Sequence, residues 1–470
     1  MDLTRRRVLG GLAGGAAIAG LSACGASASG GGRPVPVPAD PARAASAAGR
    51  PNLLVILSDD HRADHLGSTG AIPFLQTPAL DALAQQGLTF DHSYCTTALC
   101  SPSRASFITG QYAHRHGVTN NISAWRAETV SVFEGLAAAG YRNAYIGKWH
   151  MPGDLPDLRG VERFITFTVE EGQGVYFDCP LVIDGVETER PGTYVTTDLT
   201  DLALEWLGTQ GSSRPFCLFL AHKAVHHEFE PPPDLRGTYD DVPLDTLPDE
   251  YFTFQTLLDR NVWEGTAGRL ETAYRRYCET LLGMDREIGR LLDAIDAAGV
   301  GDSTAVFYTS DNGYSWGEHV LTGKRWAYDD NIRLPFIVRW PDGIPDPGAT
   351  REQPILNIDV APTLLDLAGA PIPSSVQGAS LVPLLENDDA EWREEILYEY
   401  FADFPYNIPP SQAVRTDEWL YVEYNRGLPP ELYDLAADPQ QLRNVAEEPA
   451  YAAARAEMAE RLADLRAQYA

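Results

Sequence analysis

Leu53 to Asp60 reads LLVILSDD: an unbroken apolar run, then a serine and two aspartates. An apolar run without polar alternation suits a strand buried on both faces of a parallel sheet. The arrangement returns along the chain. Tyr141 to Gly147 runs into Lys148-Trp149-His150, Phe216 to Ala221 into His222 and then His226, and Thr304 to Thr309 into Ser310-Asp311-Asn312. Phe336 to Trp340 reads as a further strand. Helical patterns fall at Thr77 to Gln86, Ser131 to Ala139, Asp198 to Leu207, Gly268 to Ala298 and Ile358 to Ala368. Strands alternating with helices predict an α/β fold with a large, mostly parallel sheet flanked by helices. Ligands of such sheets sit beyond the carboxyl ends of the strands, and here those ends carry Asp, Asn, Lys and His.

Outward from this core the chain changes character twice. Residues 1–24 read as an export leader: Thr4 to Leu9 (TRRRVL) resembles a twin-arginine signal, and Leu21-Ser22-Ala23-Cys24 resembles a lipobox that would place a lipid on Cys24. The apolar stretch between them is too short to span a bilayer stably. Residues 25–50, rich in Ala, Ser, Gly and Pro, read as a flexible tether. Residues 51–370 form the predicted catalytic domain. From 371 to 470, short aromatic-rich strands at Ile396–Phe401, Gln412–Arg415 and Trp419–Tyr424 and a terminal helix from Ala450 to Ala470 predict a smaller α+β subdomain with an antiparallel sheet.

Asp and Glu number 66 against 36 Lys and Arg, a formal net charge of −30. That excludes a nucleic-acid partner, which needs a basic face. Only Lys148, Lys223 and Lys324 are lysines, so 36 − 3 leaves 33 arginines. A chain that otherwise avoids lysine keeps one where a compact ammonium is required. Of six cysteines, Cys95, Cys179, Cys217 and Cys278 are candidates for disulfides in an oxidising compartment. Cys217, within FCLFL, reads better as inert core.

Leu99 to Gly110 reads LCSPSRASFITG. Pro102 biases Ser101 away from helix, so a helix opening over Arg104 to Gly110 would leave Cys100 at or just before its N-terminus, a position suited to an anion. This stretch resembles the C-x-P-S-R…T-G signature of the type I, formylglycine-dependent sulfatases, with Cys100, Pro102, Ser103, Arg104, Thr109 and Gly110 matching. The likeness covers most of residues 51–445: LSDDHR, TPALDALAQQGLTF, YRNAYIGKWH, HKAVHHEFEPP, SDNGYSWGEH, GKRWAYDDNIRLPFIVRWP and ELYDLAADPQQLRN each match a family segment, with Val225 where proline is usual. Within the family, the chain resembles bacterial carbohydrate sulfatases of the N-acetylglucosamine-6-sulfatase type and arylsulfatases.

The resemblance implies an alkaline-phosphatase-like fold and a mechanism. Cys100 is oxidised by a formylglycine-generating enzyme, and the hydrated aldehyde attacks sulfur and displaces the alcohol. Asp59, Asp60, Asp311 and Asn312, hard oxygen donors, hold Ca²⁺ (or alternatively Mg²⁺) together with position 100. Arg104, with the metal, holds the nucleophile's oxygen, and Lys148 and Lys324 stabilise the sulfate oxygens as point charges. Asp311 accepts the nucleophile's proton, His226 protonates the leaving oxygen, and His150 deprotonates the second hydroxyl to expel sulfate. His61 and His319 are candidate substrate contacts; His114 and His116 read as structural. The expected substrate is a sulfated small molecule or saccharide. The leader implies export of the folded protein by the twin-arginine translocase, with a lipid on Cys24 tying it to the membrane outside the cytoplasm. Two other readings stand beside this one: a phosphonate monoester or phosphodiester hydrolase on the same scaffold, and a lipid-anchored protein that binds sulfated ligands with Cys100 unmodified.

Overall fold

The computed structural model describes residues 49–470 apart from 154, 169–172, 174, 212–213, 245–269 and 426. The leader, nearly all of the tether and the predicted start of the long helix at Gly268 lie outside the described residues. The central sheet is built from β1 (Asn52–Ser58), β2 (Leu88–Phe90), β3 (Arg142–Gly147), β4 (Arg163–Thr166), β5 (Leu181–Ile183), β6 (Val186–Thr188), β7 (Phe216–Ala221), β8 (Thr304–Ser310), β9 (Phe336–Arg339) and β10 (Thr350–Arg351). Its ten strands run in the order β10-β2-β9-β8-β1-β7-β3-β4-β5-β6. The middle, β8-β1-β7-β3-β4, is parallel throughout. β9 lies antiparallel to β8, and β5 and β6 extend the other flank antiparallel.

Side chains of β1 explain the two-sided core. Leu53, Val55 and Leu57 point to one face, where they meet Phe107 of α2 (Cys100–Thr109), Phe133 of α3 (Val132–Ala138) and Leu364 of α6 (Val360–Leu367). Leu54 and Ile56 point to the other, against Leu83 of α1 (Pro78–Gln86), Leu199 of α4 (Val195–Gly208) and Leu281 of α5 (Leu270–Ala297). Every one of these positions is fully or almost fully buried, as a strand with helices on both faces requires.

The C-terminal strands β11 (Glu395–Tyr400), β12 (Ser411–Thr416), β13 (Trp419–Tyr424) and β14 (Glu431–Asp434) form an antiparallel sheet in sequence order. Helix α7 (Ala452–Tyr469) covers it with Met458, Leu462, Leu465 and Tyr469, which recur at helical spacing. The C-terminal end of that helix is fastened to the segment that follows α2. His114 Nε2 meets the Tyr469 carbonyl at 2.8 Å while its Nδ1 meets Glu399 Oε2 at 2.9 Å.

Two expectations are corrected. None of the five described cysteines forms a disulfide. Cys95 and Cys217 pack into the core on one face of the sheet, Cys179 and Cys278 on the other, and burial raises the Cys217 and Cys278 thiols. The helix expected from Arg104 begins instead at Cys100 and takes Ser101 and Pro102 into its first turn. Proline is tolerated there because first-turn N–H groups have no partner within the helix.

Candidate active site

Consecutive parallel strands deliver their polar termini to one edge of the sheet. Asp59 and Asp60 follow β1, Asp311 and Asn312 follow β8, Lys148 follows β3, and the His222 to His226 segment follows β7. Backbone bonds tie these ends together: the Asp59 amide donates to the Ala224 carbonyl at 3.0 Å, that of Asp311 to Ser58 at 3.2 Å, and that of Lys148 to Ala221 at 2.7 Å. Gly147, at φ +114°, makes the last of these contacts feasible. A Cβ there would lie 1.9 Å from the Ala221 carbonyl oxygen, so only glycine lets β3 hand over to Lys148 so close to β7.

Helix α2 brings Cys100 to these ends as its first residue, and all ten of its residues are buried. Cys100 Sγ lies 2.8 Å from Lys324 Nζ, 3.5 Å from Asp59 Oδ1 and 3.7 Å from Lys148 Nζ. Lys148 pairs with Asp59, and Lys324 with Asp60. One turn along α2, Arg104 donates from Nε to Asp311 Oδ2 at 2.9 Å and reaches Asp59 Oδ2 from Nη2 at 3.2 Å, while Nη1 holds the Lys148 carbonyl at 2.9 Å. The Asp60 amide donates to Asp311 Oδ1 at 3.2 Å, and Asn312 Nδ2 to Asp60 Oδ1 at 2.6 Å. Asp60 and His150 both hold positive φ, 59° and 64°, strain of the kind that accumulates at functional sites.

Burial works against charge at Asp59, Asp311 and Cys100. It would raise Asp59, but Lys148, His226, Arg104 and Lys324 overcome it and hold that carboxyl well below the usual range. In Asp311, burial and then the charge of Asp59 win, and the group is pushed up to about 6. Burial, with Asp59 beside it, pushes the Cys100 thiol up to about 12.

The donor set fits a hard divalent cation. Ligand atoms of Asp59, Asp60, Cys100 and Asp311 lie within 4.8 Å of one another. Asn312 Oδ1, at the same place, is a buried acceptor with no partner, a feature that is rare in folded proteins and that a cation would satisfy. Three carboxylates (Asp59, Asp60, Asp311) face three cations (Arg104, Lys148, Lys324). An added divalent ion would leave the cluster net positive and ready for an anion.

His226 donates from Nδ1 to the His227 carbonyl, 2.6 Å away, which fixes its tautomer and leaves Nε2 as the acceptor nitrogen. His226, Asp59 and Cys100 have ligand atoms within 4.8 Å of one another. His150 is buried with neither ring nitrogen bonded. Burial first, then Lys148, holds both imidazoles well below the usual histidine range.

Sequence reasoning on single residues missed part of the surroundings. Lys223 is buried, with Nζ 4.7 Å from the Tyr176 ring centre and 3.2 Å from the His227 carbonyl. Its signals in the sequence are the scarcity of lysine and its place within the matched HKAVHHEFEPP segment. Tyr145, whose hydroxyl donates to the Lys148 carbonyl at 2.6 Å, lies within the matched YRNAYIGKWH segment but is not singled out by its residue type. The expectation that His61 contacts substrate is corrected. It is fully buried, with Nδ1 against the Tyr308 hydroxyl and Nε2 against the His65 carbonyl at 2.8 Å. His319 stacks on Tyr328 with 3.8 Å between ring centres.

Comparison with known proteins agrees with this geometry. Residues 51–370 match the sulfatase family, and residues 317–468 match the family described as N-sulphoglucosamine sulphohydrolase, C-terminal. An N-acetylglucosamine-6-O-sulfatase of Bacteroides thetaiotaomicron is 29% identical, over 89% of this chain and 87% of its own. A solved structure described as a complex with its substrate, D-glucosamine-2-N,6-O-disulfate, superposes with a TM-score of 0.79 at 29% identity, covering 89% of this chain and 98% of that one. The phosphonate monoester hydrolase of Agrobacterium radiobacter superposes with a TM-score of 0.73 at 26% identity, covering 90% and 96%. With the mixed, mostly parallel sheet of alkaline-phosphatase-like enzymes and the signature cysteine at the head of α2, the chain belongs to the sulfatase family and is a sulfuric ester hydrolase.

Proposed function

We propose that Cys100 is converted to formylglycine by a formylglycine-generating enzyme and that the protein removes sulfate from a sulfated saccharide. The observation that carries this is the placement of Cys100 Sγ among Asp59, Lys148 and Lys324 at the N-terminus of a buried helix. The saccharide class is supported by the likeness to an N-acetylglucosamine-6-O-sulfatase and to the disulfated-glucosamine complex. Asp59, Asp60, Asp311, Asn312 and position 100 would hold Ca²⁺, with Mg²⁺ as the alternative. Once formed, the hydrated aldehyde would supply an oxygen nucleophile, and a divalent ion held by these residues would supply charge neutralisation for the sulfate oxygens.

The remaining roles belong to the side chains as they stand. Lys148 and Lys324 place ammonium charges where sulfate oxygens gain negative charge, and Arg104 keeps Asp59 and Asp311 oriented. His226 is the group proposed to protonate the leaving oxygen; with Nδ1 committed to the His227 carbonyl, it must first take up that proton at Nε2. His150, with both nitrogens unbonded, is the group open to take up the proton whose loss releases sulfate. Asp311 is the carboxylate that takes the nucleophile's proton.

The protein's net charge of −30 bears on substrate size. A long polysulfated chain meets repulsion wherever it leaves the cationic cluster, and salt screens much of that repulsion. Exo-type action on short saccharides is therefore expected. A monosulfated mono- or disaccharide should show a higher kcat/KM than a long polysulfated chain, most clearly at low salt. A preference for the long chain that weakens as salt rises contradicts this. The likeness to a phosphonate monoester hydrolase favours one second reading, and an aryl phosphodiester assayed in the same series separates it: faster turnover of the diester than of any sulfate ester would replace the sulfatase reading.

The leader sequence supports export by the twin-arginine translocase and a lipid on Cys24 that holds the protein outside the cytoplasmic membrane. No helix among the described residues is long and apolar enough to cross a membrane. Cys24→Ser should move the exported protein from the membrane to the soluble fraction; an unchanged distribution contradicts the anchor.

A further inference from the structure

Asp403 is a buried carboxylate in the turn after β11, far from the catalytic cluster in sequence. It nevertheless touches both sides of it. Its Oδ2 accepts from Arg325 Nε at 3.0 Å and from Arg325 Nη2 at 2.8 Å, and Arg325 directly follows Lys324, the ammonium nearest Cys100 Sγ. Its Oδ1 accepts from the Asn121 amide at 3.3 Å. The Asn121 side chain in turn accepts, through Oδ1, from the Ser101 amide at 3.1 Å, and Ser101 directly follows Cys100. One carboxylate thus links the backbone beside the lysine to the first turn of the nucleophile helix.

The rest of the link is built to hold position. Arg325 sits at φ +95°, where a side chain is strained. Its guanidinium lies 3.5 Å from the Tyr406 ring centre, and its carbonyl accepts from the Tyr398 hydroxyl at 2.8 Å. Asn120 Nδ2 donates to the Ala402 carbonyl at 3.0 Å, which joins the two loops a second time. Strain at Arg325 persists only because the surroundings over-determine it. Asp403 takes the Nε and Nη2 edge of the guanidinium, and the Tyr406 ring lies against its face. Its geometry suits positioning.

We infer that Asp403 is a positioning residue for the sulfatase reaction: through Arg325 it fixes Lys324 over Cys100, and through Asn121 it fixes the helix end that carries Cys100. The inference rests on Cys100 being the nucleophile's position. Lys324 must be held to within a fraction of an ångström to meet charge that develops during reaction, and a displacement of about 1 Å costs on the order of 10²-fold in rate. The loss falls on kcat more than on KM, because the substrate is also held by groups that Asp403 does not touch.

The test uses the full chain and two variants, Asp403→Asn and Arg325→Lys, the second keeping the charge but losing the two-pronged contact. For each, kcat and KM on a sulfate ester are measured at a temperature where the variant is folded. Both are normalised to the fraction of molecules that carry formylglycine by mass spectrometry. Each variant is expected to lose about 10- to 100-fold in kcat with KM changed by less than about threefold. The double variant should lose little more than either alone, because both act through one contact. A kcat per formylglycine-bearing molecule within about twofold of wild type in either variant, or fully multiplicative losses in the double variant, overturns the inference while leaving the functional reading intact. Absence of formylglycine from the wild type overturns both.

Discussion

Cys100→Ala is expected to lower kcat by at least about 10⁴-fold, the scale at which enzymes lose turnover when the nucleophile is removed, and to leave a folded protein. The side chain is small, and its loss removes only the contacts of Sγ with Lys324, Asp59 and Lys148. The pairs Lys148–Asp59, Lys324–Asp60 and Arg104–Asp311 persist without it. The melting temperature should therefore stay within a few degrees of wild type while turnover disappears. Retention of more than about a tenth of the activity would mean that the reaction does not pass through position 100, since removal of a true nucleophile leaves far less.

Asp59→Asn is expected to abolish the stabilisation that added Ca²⁺ gives the wild type. Asp59 is fully buried and held by Lys148 and Arg104. Replacing it with a neutral isostere leaves two carboxylates, Asp60 and Asp311, against three cations, so a divalent ion meets a net positive site. The change also strands the Lys148 ammonium in a buried position, which costs about 3–5 kcal/mol in comparable cases. A lower melting temperature alone therefore says nothing about metal. The informative quantity is the increment on adding the ion to chelator-treated protein. For the wild type at about 100 times Kd it corresponds to roughly 2.7 kcal/mol. For Asp59→Asn it should be close to zero, and metal analysis of the purified variant should find the site largely empty. A full calcium increment in the variant would remove Asp59 from the ligand set.

What could be read from the sequence was whatever repeats locally. The apolar run of β1 and the polar residues after it predicted a buried parallel strand with chemistry at its carboxyl end, and the strand pairs in register with β7 and β8. Direction was harder to read: Phe336–Arg339 was visible as a strand, but its antiparallel pairing with β8 depends on how the chain returns to the sheet. Strands of three or four residues, such as Leu181–Ile183, Val186–Thr188 and Glu431–Asp434, are too short to show a period. Pro102 does not delay the helix, because a first-turn residue needs no N–H partner within it. The cysteines misled because a count carries no geometry. Asp403 and Asn121 gave no local signal at all, since their meaning lies in contacts 282 residues apart in the chain. The cluster around Cys100 could be anticipated because several strand ends carried hard donors and cations at once.

The most direct measurement is mass spectrometry of the intact peptide across Cys100 from protein expressed in a host that contains a formylglycine-generating enzyme. The account predicts that residue 100 carries one oxygen in place of sulfur and two hydrogens fewer than cysteine, and that activity scales with the fraction so modified. An unmodified thiol at position 100 in a preparation that hydrolyses sulfate esters at full rate would contradict it.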